Sequence, residues 1–458
     1  MRNRVYSLRR RVPFRPAIFF LSLSLTAVLI WAQAETGQIT GTVHDASGAA
    51  VPKATVTAKN TATGAVRSTV GTDDGTYLIP SVAPGEYEVT VTAQGFSAFK
   101  QKVNVAVASP VTVDAKLTVG TASTMVEVAE SAVTVNTETQ SLTNVVSTQQ
   151  VMELPSLTRN PYDFVATMPN VAPTDPSGRG VGYSINGMRA AGTNVMLDGV
   201  ANNDEFTGSV GQSVPMDSVQ EYSVTTSSFT AEQGRADAGV VNVLTKSGTN
   251  ALHGSLYEFN RVSALGSNSF YSNSYGLPKG IYDRNQFGYS IGGPVIKNKL
   301  FFFQNTEWIR VRSGANEVFC VPTSTFIASA AANTQQFFST YGTLRSGLTN
   351  LGSCSNNSFQ KVSYTAPADA GGGSPQNTYE LVGRVDYAAS EKTQFYVRYA
   401  LYNEDDFPGT VETSPYKGYD TGQTNVDNAI TASGTHTFSP TLVSQTKLNY
   451  NRLNNLQP

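Results

Sequence analysis

The second half of the 458-residue chain contains seven strand-like runs whose connectors alternate between long and short. The runs span residues 252–261, 284–292, 300–311, 379–387, 394–402, 430–438 and 442–450. Outer-membrane barrels have strands of about 10 residues, short turns on the periplasmic side and long loops outside. The rhythm therefore predicts an antiparallel barrel wall, because a soluble sandwich has no reason to sort its loops by length.

Polarity within the runs also follows the period of two that a strand imposes on its side chains. In one run Phe395, Val397 and Tyr399 share a face, while Gln394 and Arg398 point the other way. One such face suits lipid and the other suits a wet lumen. The alternative is a water-soluble antiparallel sheet with one polar face.

The N-terminus predicts export. Six arginines precede an apolar stretch from Ala17 to Trp31, and the small-residue sequence 32–34 follows as a cleavage site. This is the layout of a secretory signal peptide, and the stretch is short for a spanning helix, which needs about 20 apolar residues. We expect residues 1–34 to be removed.

Charge excludes one class of partner. Without the six signal arginines the basic count falls from 32 to 26 against 34 acidic residues, a formal net charge of −8. This balance does not favour nucleic acid. Cys320 and Cys354 lie in the longest loop of an exported chain and therefore predict a disulfide. With no histidines nearby, neither a metal nor another cofactor is expected.

Residues 35–119 are predicted to form a compact β-sandwich, because short alternating runs are separated by turn residues. The segments 41–48, 73–77, 84–87 and 95–96 resemble the carboxypeptidase regulatory-like domain, which implies a seven-stranded transthyretin-like, Ig-like fold. The resemblance implies no peptidase. Distant relatives bind starch, so carbohydrate binding is a secondary expectation for this region.

Residues 120–250 have a mixed α/β texture, with helix-like stretches at 148–154 and 160–168. The segments 185–189, 194–199, 219–224 and 239–246 resemble the plug domain of TonB-dependent outer-membrane receptors, in particular the Oar-like subgroup. That subgroup carries a regulatory-like domain before the plug and a large barrel after it. The resemblance identifies residues 251–458 as the first strands of the barrel, so the whole chain is expected to be mainly β.

The resemblance also implies which residues of the plug domain are functional. Its plug motif maps onto Ile185, Asn186, Gly187, Arg189, Leu197, Asp198, Gly199 and Glu221. Polar contacts of Arg189 and Glu221 with the barrel wall would hold the closed state, although a solvated surface role is equally open. The cluster Asp198, Asn202, Asn203, Asp204 and Glu205 either faces substrate or forms a hydrophilic apical loop.

The family's TonB box is an extended strip that an inner-membrane partner captures by strand addition. The candidate here is Thr124, Met125, Val126, Glu127 and Val128, and the alternative is a linker strand without a partner. The implied function is ligand uptake through a plugged barrel in outer-membrane lipid, with a TonB-type partner and an extracellular carbohydrate, chelate or peptide. The rival function is an outer-membrane adhesion or carbohydrate-binding protein.

Two serine motifs could suggest a hydrolase. The sequence 288–292 matches a nucleophile elbow, which needs a helix after the serine, and none is predicted there. Ser444 and Lys447 match a motif that needs one helical face, but in a strand they point to opposite faces. We expect no enzyme.

Seven strand-like runs are visible in the sequence, whereas a plugged barrel is expected to have about 22 strands. We therefore expect this chain to be an N-terminal portion of a longer receptor.

Overall fold

The computed structural model describes most of the chain from residue 36 onwards. The predicted signal peptide and Thr124 lie outside the described residues. The described ranges are 36–107, 109–120, 125–128, 141–156, 158–172, 181–228, 234–354 and 357–457.

The N-terminal domain is a sandwich of two sheets around a core that includes Ile39, Val56 and Val89. One sheet has the order β4-β1-β7, with β8 also on β1, and the other has the order β3-β2-β5-β6-β9. The strands are β1 Gly37–Asp45, β2 Thr55–Asn60, β3 Val66–Val70, β4 Thr76–Val82, β5 Gly85–Thr92, β6 Ala98–Val105, β7 Pro110–Thr112, β8 Ala115–Leu117 and β9 Met125–Val128. The predicted sandwich is confirmed, and β9 extends one of its sheets.

The middle domain (residues 141–245) is a mixed five-stranded sheet in the order β10-β15-β16-β13-β14, with a separate pair of β11 and β12. Its strands are β10 Leu142–Val146, β11 Val171–Ala172, β12 Ser184–Ile185, β13 Thr193–Leu197, β14 Val200–Ala201, β15 Val219–Ser227 and β16 Gly239–Thr245. Helix α1 spans Thr148–Glu153, and 3-10 turns span Pro161–Thr167, Ala190–Gly192 and Met216–Ser218. Ser147 begins α1 with a capping box to Gln150.

The third part is a ten-stranded sheet, called the wall sheet, whose main path is β17-β18-β19-β22-β23-β24-β25. Its strands are β17 His253–Val262, β18 Ile281–Ile296, β19 Leu300–Pro322, β20 Thr349–Ser353, β21 Phe359–Ala366, β22 Gln376–Ser390, β23 Thr393–Asp406, β24 Gln423–Ser439, β25 Leu442–Arg452 and β26 Asn455–Leu456. All seven predicted runs form strands, most of them longer than expected. Within the described residues β17 and β25 do not pair with each other, so the wall is an open arc.

The two faces of the wall sheet differ as the sequence predicted. Large apolar side chains such as Val385, Phe395 and Val397 are nearly half exposed on the outer face. Polar and charged side chains such as Glu307 and Arg398 are buried on the inner face, against the middle domain. A sheet that exposes apolar groups and buries charge on a neighbouring domain matches a membrane wall rather than a soluble sheet.

The long connections of the wall sheet carry short helices. They are α2 Phe270–Ser274, α3 Ser324–Ala328 and α4 Ala332–Tyr341, and a 3-10 turn spans Ser263–Leu265. In the part of the chain that the structure describes, every helix falls short of the length and apolarity that a membrane crossing requires. The tight turns after β18, β22 and β24 lie at the opposite end of the wall, called the turn end.

Candidate functional site

The structure places Asp198 at the centre of the contact between the middle domain and the wall sheet. Asp198 and Gly199 form the two-residue turn that joins β13 to β14, with φ of 52° and 68°. Such a turn needs positive φ at both central residues, which favours an Asp-Gly sequence. The turn projects the Asp198 carboxylate into the contact, where the residue is completely buried.

Cations from neighbouring wall strands surround this carboxylate. Arg384 Nη1 of β22 lies 3.3 Å from Asp198 Oδ1, and Arg398 Nε of β23 lies 3.0 Å from Oδ2. The Asp198 carbonyl oxygen accepts hydrogen bonds from Tyr396 Oη at 3.3 Å and Lys447 Nζ at 3.0 Å. The middle domain itself contributes Thr245, whose backbone N–H donates to Oδ1 at 2.8 Å. The carboxylate is therefore buried but fully compensated.

The register of the wall explains why it needs this anion. Arg384 and Arg398 are directly opposed cross-strand partners in β22 and β23. Like charges in that position repel each other and destabilise a sheet. Asp198 supplies a negative charge between them, and Asp386 supplies another to Arg384 at 2.9 Å. This part of the wall is thus electrostatically complementary to the middle domain.

Arg159 makes a second contact between the two parts. Its guanidinium lies 3.7 Å from the ring centroid of Phe259 in β17 and forms an ion pair with Asp217 of its own domain. Nearby, Arg284 Nη2 of the wall donates to the Thr158 carbonyl oxygen at 2.9 Å. An arginine on an aromatic face gains a cation–π attraction that strengthens when water is excluded. Arg159 lies outside the segments that resemble the plug domain. Its positive charge beside Asn160-Pro161 is the only sequence signal that could have indicated a functional role.

Apolar packing joins the same surfaces. Val382, Ala400 and Ala429 of the wall belong to one continuous core with Val195 and Leu197 of the middle domain. The predicted motif residue Leu197 is therefore part of the seam between the two domains. Small wall residues at 400 and 429 let the domain approach the sheet closely.

The other motif residues occupy different places. Ile185 is fully buried in the core, and Gly187 adopts a φ of 72° in the turn after β12. Asn186 Nδ2 donates to the Ala238 carbonyl oxygen at 3.4 Å and also to Thr226, so it ties this turn to its own domain. Arg189 is exposed. Its place corresponds to the solvated alternative rather than to a wall contact.

Glu221 faces the N-terminal domain, not the wall. Its Oε1 accepts a hydrogen bond from the Val107 N–H at 2.6 Å, and the residue is 7% exposed. Burial raises the pKa of the Glu221 carboxyl to about 7, although the Val107 hydrogen bond favours the ionised form. Glu221 therefore does not make the expected contact with the wall. It contacts the N-terminal domain instead, because β15 lies on the side of the middle-domain sheet that meets residue 107.

Further hydrogen bonds fix the N-terminal domain at the turn end of the wall. Asn250 Nδ2 donates to the Thr63 carbonyl oxygen at 2.7 Å and to Asn298 Oδ1 at 2.8 Å. Arg67 Nη1 donates to Thr437 Oγ1 at 3.1 Å. These turns are short, and short turns face the periplasm in outer-membrane barrels.

The predicted acidic cluster is split by the fold. Asp198 and Asn202 are buried, so they do not form an exposed loop. Asp204 and the exposed Glu205 lie on the side facing away from the turn end, where a cavity of about 580 Å³ opens beside the wall residues Glu404 and Asp427. This cavity lies between the middle domain and the outer ends of β23 and β24.

Three remaining predictions concern other regions. Met125–Val128 forms β9. The predicted disulfide joins Cys320, near the end of β19, to Cys354, directly after β20, with Cα atoms 6.1 Å apart. Ser290 lies inside β18, where its hydroxyl is 2.8 Å from that of Ser255. Ser444 lies inside β25. Neither serine has the strand-to-helix or helical setting that its motif requires.

Three family comparisons match consecutive parts of the chain. Residues 38–118 match the carboxypeptidase regulatory-like domain, residues 135–241 match the TonB-dependent receptor plug domain, and residues 244–458 match an outer membrane beta barrel domain. The predicted order of the domains is confirmed, while the exact bounds 35–119, 120–250 and 251–458 stay predictions. The matched barrel domain locates the chain in the outer membrane.

This chain is similar to a transporter sequence and to solved structures of outer-membrane proteins. The TonB-dependent transporter Oar of Myxococcus xanthus is 27% identical over 285 residues, which cover 59% of this chain and 26% of Oar. The siderophore receptor PirA of Acinetobacter baumannii is 18% identical, with 69% of this chain and 40% of PirA covered and a TM-score of 0.44. The outer membrane transporter YddB of Escherichia coli is 12% identical, with 68% of this chain and 39% of YddB covered and a TM-score of 0.45. The chain thus spans about a quarter of the curated relative's length.

Proposed function

We propose that this chain, whose three domains are those of a TonB-dependent outer-membrane receptor, takes up a ligand through a barrel that its plug closes, using energy from a TonB-type inner-membrane protein. The middle domain is the plug, and the wall sheet is part of the barrel. Transport, the energy-coupling partner and the ligand are all parts of the proposal.

The Asp198 contact is the observation that carries this proposal. Breaking one partner of a buried pair is costly, but a complete pair that enters water together regains the hydration it lost on burial. A plug held by Asp198, Arg384 and Arg398 is therefore firmly seated at rest. It can also leave the wall when a pull lets water into the seam.

The ligand would enter from the side opposite the N-terminal domain. There the cavity beside Asp204, Glu404 and Asp427 is bounded by both plug and wall. A ligand bound at such a boundary senses the position of the plug. Iron chelates, oligosaccharides and peptides all remain candidate ligands.

The test compares uptake in cells that carry the native gene, a deletion of residues 124–128 or a control deletion of residues 131–135. Radiolabelled ferric chelates, oligosaccharides and peptides are supplied with and without a protonophore. We expect one ligand class to accumulate, and we expect both the first deletion and the protonophore to stop its accumulation. Surface binding in the cold should persist, because the cavity is unchanged.

The opposite result supports the rival function. If surface binding occurs but no accumulation depends on residues 124–128 or on the proton gradient, the protein is an adhesion or carbohydrate-binding protein. The proposed transport function would then be wrong.

A further inference from the structure

We propose that the N-terminal domain stores residues 125–128 as an extra edge strand, so that a TonB-type partner must detach this strand before it can pull the plug. The inference rests on the proposed function, because it concerns the segment that the partner would capture. It assigns the regulatory-like domain a role in controlling access to that segment.

The pairing of β9 is the first support. β9 runs parallel to β6, with Ala98 opposite Met125, Phe99 opposite Val126, Lys100 opposite Glu127 and Gln101 opposite Val128. In the order β3-β2-β5-β6-β9, β6 would be an edge strand without it. An edge strand presents unpaired backbone groups that recruit another strand. Here a segment of the same chain takes that position.

The chain before β9 is also fixed to the domain. The Ser97 N–H donates to the Thr118 carbonyl oxygen at 2.8 Å, and the Gly120 N–H donates to the Gly95 carbonyl oxygen at 3.2 Å. A Cβ on Gly120 would lie 2.2 Å from the Oγ of the buried Ser97. Glycine at 120 therefore permits a close approach of the chain to Ser97, which directly precedes β6.

The pairing limits what a partner can do. A partner that captures residues 125–128 by strand addition and then pulls has to break the hydrogen bonds to β6. The segment is four residues long, and parallel pairing is slightly weaker per residue than antiparallel pairing. The stored strand is thus held weakly enough to be released.

The place of storage connects release to the plug. The same domain donates the Val107 N–H to Glu221 of β15. Further along the chain, β10 pairs with β15 in the plug sheet. Force applied to the released strand therefore reaches the plug strand that the N-terminal domain covers.

The experiment locks the strand in place. Lys100→Cys with Glu127→Cys places two thiols on directly opposed residues of neighbouring strands, which are about 4.8 Å apart and within disulfide range. The matched control is Glu88→Cys with Lys102→Cys, which joins the opposed residues of β5 and β6. Affinity for the purified periplasmic domain of a TonB-type protein is measured with each protein oxidised and reduced.

We expect oxidation to lower the affinity of the locked variant at least tenfold and reduction to restore it, while the control pair is unaffected. Gly120→Val, which crowds Ser97, should raise the affinity for the TonB-type domain. Equal capture by the oxidised locked variant would overturn the inference. So would failure of its disulfide to form under conditions that close the control pair.

Failure of the proposed function gives a different result. In that case the native protein does not bind the TonB-type domain, or binds it equally well after deletion of residues 124–128. The cross-linking result remains informative about storage, because formation of the Lys100→Cys and Glu127→Cys bond needs no partner.

Discussion

The plug makes two contacts of different kinds, one with the barrel wall and one with the N-terminal domain. The wall contact buries Asp198 between Arg384 and Arg398, and it includes apolar packing. The contact with the N-terminal domain includes a hydrogen bond from the Val107 backbone N–H to the Glu221 carboxyl. The first contact has fixed opposite charges, while the second has an acidic group without a basic partner among its named contacts.

This difference suggests an order of events. Compensated charges and a shared core resist separation, whereas single hydrogen bonds contribute only about 1 kcal/mol each. If the proposed function is correct, we expect a pull from the periplasm to unseat the N-terminal domain before it moves the plug. The following changes test this order, beginning with the largest expected effect.

Asp198→Ala should weaken the wall contact most. It leaves the buried Arg398 guanidinium without its anion, while Arg384 keeps Asp386. Breaking a buried pair typically costs about 3–5 kcal/mol. We expect trypsin to cleave the plug much faster in detergent-solubilised protein. The measurement is the cleavage rate at residues of the middle domain.

Asp237→Ala provides the matched control, because Asp237 is an exposed aspartate of the same domain. Equal cleavage rates for the two variants would mean that Asp198 does not hold the plug, and the distinction between the two contacts would fail.

Raising the pH should weaken the contact with the N-terminal domain. The pKa of Glu221 is about 7 when the Val107 backbone covers it, above its ordinary value of 4.5. A group with a raised pKa in the docked state stabilises docking fully below pH 4.5, and this stabilisation is lost as pH rises through 7. We expect docking to weaken by about tenfold or more between pH 5 and pH 8.

Spin labels at Thr72→Cys and Lys297→Cys, both exposed positions, report the distance between the N-terminal domain and the turn end. The undocked population should grow with pH in the native background. Glu221→Gln keeps an acceptor for Val107 but does not titrate, so its population should stay constant. A pH response that persists in this variant would exclude Glu221 as its source.

Asn250→Ala should have the smallest effect of the three. It removes the side-chain hydrogen bonds to Thr63 and Asn298 but keeps the backbone bond to Ala62. The expected loss of docking free energy is about 1 kcal/mol, seen as a several-fold larger undocked population with the same labels. No change relative to Asn333→Ala, at the exposed far end of the molecule, would assign docking to other contacts.

The architecture was largely accessible from the sequence, because it depends on local patterns. Alternation at Phe395, Val397 and Arg398 fixes which face meets the plug, and connector lengths fix which end carries the turns. The Asp198-Gly199 pair could be recognised as a motif. Its local chemistry indicates a hairpin turn.

The contact partners of these residues could not be predicted from the sequence in the same way. The approach of Arg384 and Arg398 to Asp198 depends on strand register and on how the plug sits, which no local pattern reports. For the same reason neither alternative for Glu221, a wall contact or a solvated surface position, includes its contact with Val107, and no sequence pattern indicates the role of Arg159. The pairing of β9 with β6 joins segments that β7 and β8 separate in the sequence, and composition indicates only a β-prone strip.

The opposed arginines of β22 and β23 have a consequence for how the protein is built. Without the carboxylate of residue 198, the opposed guanidinium groups repel each other where the two strands pair, and Asp386 offsets the charge of Arg384 alone. Pairing of β22 with β23 and insertion of the inner domain are therefore thermodynamically linked, because each is more favourable once the other has occurred.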